Sequence, residues 1–151
     1  MAKQVNTRNG SILNWSAETW AFMSLRLFLS LRFITAGLGK FSGEEGYSFS
    51  NYYEGTAKGL LAAFQSTFIP QILLVPYVYS IAYVQIILGV LLVLGVKTKY
   101  VLALFALTFV SLAFGKMCLS DHQTVTSIGI HLLITCAALY FVRHNKFELK
   151  R

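Results

Sequence analysis

The chain has 151 residues, of which 56% are hydrophobic and 13% charged, and its formal net charge is +7. Soluble domains carry about a quarter charged residues, whereas here the mean hydropathy is +0.60 and the uncharged tracts are too many to form one small core, which excludes a soluble fold. The positive residues flank apolar segments, so the partner they imply is anionic membrane lipid and not nucleic acid.

In chain order, the first nineteen residues are polar and no small-residue cleavage site follows the first apolar run. The first helix is therefore expected to act as its own anchor. A transmembrane helix needs roughly 20 mainly apolar residues. Residues 20–41 qualify, interrupted by Arg26 and Arg32. The stretch 43–48 reads as a loop. Residues 52–68 then carry an amphipathic pattern. Tyr53, Ala57, Leu60, Leu61, Phe64 and Phe68 share one helical face, while Glu54, Lys58 and Gln65 gather on another. Glu54 and Lys58 have the i,i+4 spacing of a pair, and Pro70 ends the pattern. This segment is expected to lie on the outer membrane surface or to cap the bundle.

The second span, residues 75–96, opens with Pro76, which suits a helix's first turn. Only Lys97, Thr98 and Lys99 separate it from the third, residues 100–118, so these two form a tight antiparallel hairpin. The fourth covers residues 124–142. The fold class expected is all-α: one integral membrane domain over residues 1–151, a four-helix bundle with an additional outer-surface amphipathic helix.

Four spans put both termini on one side, with Lys3, Arg8, Lys97, Lys99, Arg143, Lys146, Lys150 and Arg151. The other side holds Lys40, Lys58 and Lys116 beside Glu44, Glu45, Glu54 and Asp121. Lys and Arg favour the cytoplasmic side of short loops, so both termini are expected there, in a bacterial inner membrane. Trp15, Trp20 and Tyr140 on that side, and Tyr77 and Tyr79 on the other, suit aromatic belts.

Arg32 lies near the middle of the first span, where an Arg costs about 2.5–3.5 kcal/mol on insertion scales, and is expected to face the bundle interior. Arg26, about one turn inside the boundary, can snorkel to the surface or face inward. Small and polar stripes run along the other helices: Gln85 and Gly89; Thr108, Ser111 and Gly115; Thr124, Ser127, His131 and Thr135. Such stripes either glue the bundle, with hydroxyls bonding across helices, or line a polar cavity around Arg32 and His131. No carboxylate lies within a span, leaving carbonyls, hydroxyls, Gln85 or an anionic or quinone-like ligand to satisfy Arg32. The inner-cavity candidates are Arg26, Arg32, Lys40, Gln85, Ser127 and His131. A lone intramembrane His does not support a bis-histidine haem, and the adjacent Asp121 and His122 are a weak metal signal, so no metal site is expected. Cys118 and Cys136 form no CxxC motif; Cys136 is expected to be buried and Cys118 to sit near the outer surface.

The run from Arg26 to Phe41 resembles the opening helix of the DoxX family, with Arg26, Gly37 and Lys40 at the family's spacing. Gln85, Gly89, Gly95, Thr98 and Lys99 resemble its second-helix pattern, with Gln standing where the family usually has Glu and Lys where it has Arg. The ending from Arg143 to Phe147 is similar to one branch of DoxX-like proteins. The resemblance covers about residues 22–142. It implies a four-helix membrane protein associated with redox chemistry. DoxD-type chains belong to a thiosulfate:quinone oxidoreductase, and some DoxX chains work with thiol-handling enzymes. The Gln at position 85 removes the family's intramembrane carboxylate.

The expected function is a membrane subunit of a redox system that exchanges electrons or thiol equivalents with the quinone pool. No flavin, nicotinamide or iron–sulfur fingerprint occurs, so no intrinsic cofactor is expected, and quinone is the candidate ligand. Redox-enzyme subunits and further copies of the chain are candidate partners. The alternative is a noncatalytic accessory subunit that packs against a larger complex. A small-solute carrier would need inverted repeats or broken helices, and neither is found.

Overall fold

The computed structural model describes residues 15–44 and 46–149. Four helices are long and apolar enough to cross a membrane: α1 (Ala17–Leu38), α3 (Gln71–Leu94), α4 (Thr98–Cys118) and α5 (His122–Phe141). The fifth, α2 (Lys58–Phe64), belongs to the long connection between α1 and α3. In the bundle α1 packs on α3 and α5, and α4 on α5 and α3.

Each helix end has a local cause. Ser16 caps α1, its hydroxyl accepting from the Thr19 N–H, and Asp121 caps α5 by accepting from the Thr124 N–H. Gly95, at φ 75°, closes α3 with the paired bonds Val96 N–H to Leu91 O and Gly95 N–H to Leu92 O. These bonds make the expected hairpin between α3 and α4.

The helix boundaries depart from the sequence reading in one instructive place. Pro70, extended at ψ 132°, starts α3 at Gln71, four residues before the expected position. Pro76 therefore lies inside the helix and not in its first turn. The carbonyl it leaves without a partner belongs to Ile72, which is 83% exposed at the helix's first turn.

The core is aromatic and aliphatic. Phe33 stacks on Phe105 at 3.7 Å between ring centroids and meets Phe109 edge-on, with Phe22, Leu29, Leu88, Leu92 and Leu102 around them. The α1–α3 crossing is set by two glycines in reciprocal positions. A Cβ on Gly37 would lie 2.5 Å from the Ile86 side chain, and one on Gly89 would lie 2.7 Å from Ile34. In lipid the close approach of backbones drives association, so each helix offers a glycine to the other's isoleucine. Outward faces carry exposed Leu27, Leu31, Ile87, Leu107 and Leu133, as a lipid-facing surface requires. Cys136 belongs to that exposed surface, contrary to expectation: Thr135 and Ala138 are the buried positions of α5, and Cys136 points the other way.

The connection begins with a short hairpin, β1 (Ser42–Gly43) paired antiparallel with β2 (Gly46–Tyr47), where a loop was expected. The helix beyond it starts as a π-helical stretch, Asn51–Ala57, and becomes α-helical in α2. The π spacing changes which residues face inward. Tyr52 and Ala57, five apart, are both fully buried, while Tyr53, expected on the apolar face, is 38% exposed. The helix also ends at Phe64, so Phe68 lies beyond it and is 79% exposed. Leu60, Leu61 and Phe64 do pack inward, against Leu74, Val78 and Tyr77. Glu54 and Lys58 form no ion pair; Lys116–Asp121 is the one ion pair among the described residues. Burial of the Tyr52 ring pushes its phenol pKa up, and its hydroxyl donates to the Val78 carbonyl.

A candidate ligand cavity

At the end of the bundle covered by α2, the four long helices separate around a cavity of about 270 Å³. Helix α1 supplies Arg32 and Ala36, and the 3-10 turn Gly39–Phe41 that follows it supplies Lys40; α3 supplies Tyr77, Ile81 and Gln85; α4 supplies Phe109, Ser111 and Gly115. Helix α5 supplies Thr124, Ser127, Ile128 and His131, and Leu60 and Phe64 of α2 lie over the top. Phe64 reaches to 3.3 Å from where a Gly115 Cβ would stand, so Gly115 makes room for it. Arg32 and Ser127 are the exposed lining residues of α1 and α5, and the cavity opens between those helices.

The polar groups are organised in pairs. The Arg32 Nε–H donates to His131 Nε2 at 3.2 Å, while His131 Nδ1 lies 2.6 Å from the Ser127 carbonyl. An imidazole that accepts at Nε2 and meets a carbonyl at Nδ1 has the pattern of the neutral Nδ1–H tautomer. Phe28 and Phe109 both stack against the ring, at 6.0 and 5.7 Å between centroids. Lys40 donates to Gln85 Oε1 at 2.6 Å and to the Ala36 carbonyl at 3.0 Å. Tyr77 and Ser111 share a hydrogen bond of 2.9 Å. Lys116, the third lining cation, is bound to Asp121 at 2.9 Å. That bond, with those from Thr124, holds the half-buried Asp121 carboxyl down to about 2.

Five of the six candidate residues come together here: Arg32, Lys40, Gln85, Ser127 and His131. Arg32 stands at the cavity's open side and is not enclosed by the bundle, as its depth had suggested, because a face turned to a cavity meets the same need for polar surroundings. Arg26 is the exception. It is only 4% exposed and neither snorkels nor reaches the cavity. Its guanidinium donates to the carbonyls of Leu92, Val93 and Phe147 and to Asn145 Oδ1. Leu92 and Val93 are at the C-terminal end of α3, where carbonyls lack helical partners and a cation is favoured. Asn145 in turn donates to Thr98, and Leu149 N–H bonds the Gly95 carbonyl. Arg26 thus fastens the segment 145–149 across the ends of α1, α3 and α4. Gly95 is required twice over, by its positive φ and because a Cβ would meet the Phe147 carbonyl and the guanidinium.

The polar stripes divide by depth. Ser111, Gly115, Thr124, Ser127 and His131 line the cavity, whereas Thr108 and Thr135 are buried in helix packing. Their hydroxyls do not bond across helices as expected; Thr108 and Thr135 each donate to the carbonyl four residues back. Sequence reasoning missed Tyr77 as a cavity residue, placing it in an aromatic belt. Its spacing from Ile81 and Gln85, two successive i,i+4 steps, was the available signal. Among the described residues no cluster of His, Cys, Asp and Glu could hold a metal ion.

Fold and cavity together define a multi-pass membrane protein with a polar site between its helices. The family profile described as DoxX matches residues 21–116, from the first turns of α1 to the end of α4, and the chain belongs to the DoxX family. No curated protein and no solved structure matches it. The family-like positions fall into three groups: Arg26 against Gly95 and, through Asn145, linked to Thr98; Gly37 and Gly89, each facing an isoleucine of the other helix at the crossing; and Lys40 bonded to Gln85.

Proposed function

We propose that the chain is a quinone-binding membrane subunit of a redox system, seated in a bacterial inner membrane with both termini in the cytoplasm. The observation that carries the reading is the Arg32–His131 pair at the side opening of an otherwise apolar cavity. With Nε committed to His131, both Nη groups of Arg32 have no partner among the described residues and can donate to a carbonyl oxygen. Flat aromatic walls at Phe33, Phe64 and Phe109 suit a ring. A ligand from the bilayer would enter between α1 and α5. Electrons would come from a partner redox enzyme, for which lipid-exposed helix faces offer the docking surface. The orientation rests on the bias of Lys and Arg to the side of the termini.

The test is binding of a neutral short-tailed ubiquinone analogue to the purified protein in mild detergent. Arg32→Leu should leave thermal stability near wild type, since Arg32 makes one side-chain hydrogen bond, yet weaken quinone binding about tenfold. Absence of quinone binding by the wild-type protein would overturn the reading. The accessory-subunit alternative has one observation in its favour: α5 is the least buried of the four long helices, leaving most of its surface for a partner or lipid.

A further inference from the structure

The charge of the cavity specifies more than a quinone needs. Of its three lining cations, only Lys116 has a carboxylate partner. Arg32 is bonded to an imidazole and Lys40 to an amide oxygen and a carbonyl, all neutral in this arrangement. Two positive charges, Arg32 at the exposed side and Lys40 half-buried, therefore line a largely apolar cavity without a carboxylate partner among the described residues, where attracting an opposite charge is favourable. Arg32, Ala36 and Lys40 stand at i, i+4 and i+8 on one face of the first span, and the small Ala36 leaves room between the two cations. The two Nη groups of Arg32 and the third N–H of Lys40 have no acceptor among the described residues.

We infer that the cavity selects a single-chain amphiphile with an anionic head, carboxylate or phosphate, held between Arg32 and Lys40. Its chain lies along Ile81, Phe109 and Ile128 and leaves for the bilayer through the opening between α1 and α5. A volume of about 270 Å³ takes the head and the first part of one chain, with the remainder in lipid. The inference rests on the cavity being a ligand site, as proposed above, and not on that ligand being a quinone.

Four probes of similar chain length separate the cases: laurate, dodecyl phosphate, dodecanol and decylubiquinone, each measured by equilibrium dialysis against protein in a non-ionic detergent. Laurate or dodecyl phosphate should bind at least about tenfold more tightly than dodecanol, as charge-assisted bonds exceed neutral ones. The stronger of the two anions identifies the source as a fatty acid or a phosphate-bearing lipid. Gln85→Glu supplies the missing carboxylate beside Lys40 and should lower the ratio of anion to dodecanol affinity about tenfold. Arg32→Gln, at an exposed position, is the second variant and should weaken the anions to a similar degree. Equal binding of dodecanol and both anions would overturn the inference, as would unchanged anion affinity in both variants. Anion binding without decylubiquinone binding would sink the quinone reading and leave this one standing.

Discussion

Replacing Arg26 by Leu removes a guanidinium that bonds four acceptors from two separate stretches of chain: Leu92 and Val93 of α3, and Asn145 and Phe147 of the segment 145–149. A buried acceptor left without a donor costs about 1–3 kcal/mol. The Leu92 carbonyl keeps the Gly95 N–H and Asn145 Oδ1 keeps the Phe147 N–H, so the acceptors left without a donor are the partly buried carbonyls of Val93 and Phe147, where water can recover some of the loss. The expected loss is about 2–4 kcal/mol, a melting-temperature drop of roughly 5–15 °C on the scaling for soluble domains of this size. Arg26→Lys keeps the charge but not the planar fork, and should recover only part of the loss. The assay is thermal unfolding in mild detergent, paired with hydrogen exchange over residues 145–149, whose amides should lose protection in both variants. Ligand binding by the surviving folded fraction should change little, since Arg26 lies outside the main cavity. A Leu variant that melts within 2 °C of wild type, a margin of roughly 1 kcal/mol on the same scaling, would refute the fastening role. So would full rescue by Lys.

The helix crossing and the loop at Asp121 give two further tests. Gly89→Val should separate α1 from α3 and cost about 1–3 kcal/mol in thermal stability. Gly39→Ala, where an added Cβ meets nothing within 4 Å, should be neutral; equal damage from both would contradict the close crossing. The Lys116 ammonium holds the folded Asp121 pKa below its ordinary value, down to about 2, so the carboxylate contributes stability above the ordinary value that disappears as pH falls towards 2. Wild type and Asp121→Asn should therefore differ in melting temperature by a constant amount above about pH 5 and converge only as the pH falls to about 2. A difference that grows with rising pH would show the opposite sign and reject the assignment.

Much of this protein is determined by composition and periodicity alone. Long uncharged tracts admit few structures in lipid other than helices, because backbone groups there must bond within their own segment. The four spans, the hairpin between α3 and α4, and the inward packing of Leu60 and Phe64 follow from that constraint. Five cavity residues were also legible, since polar side chains within a span need polar surroundings wherever the fold supplies them. What the sequence left open was rotation and long-range pairing. Arg26 and Arg32 look alike as intramembrane arginines, yet they are six residues apart and fall on different faces of α1. One meets the end of α3 and the segment 145–149; the other meets α5. A single π-helical stretch moved Tyr52 inward in place of Tyr53, because a change in backbone hydrogen bonding by one residue rotates every side chain after it. Local pattern identifies which residues need a partner. Only the packed bundle, by bringing residue 26 beside residue 147 and residue 32 beside residue 131, decides which partner each one finds.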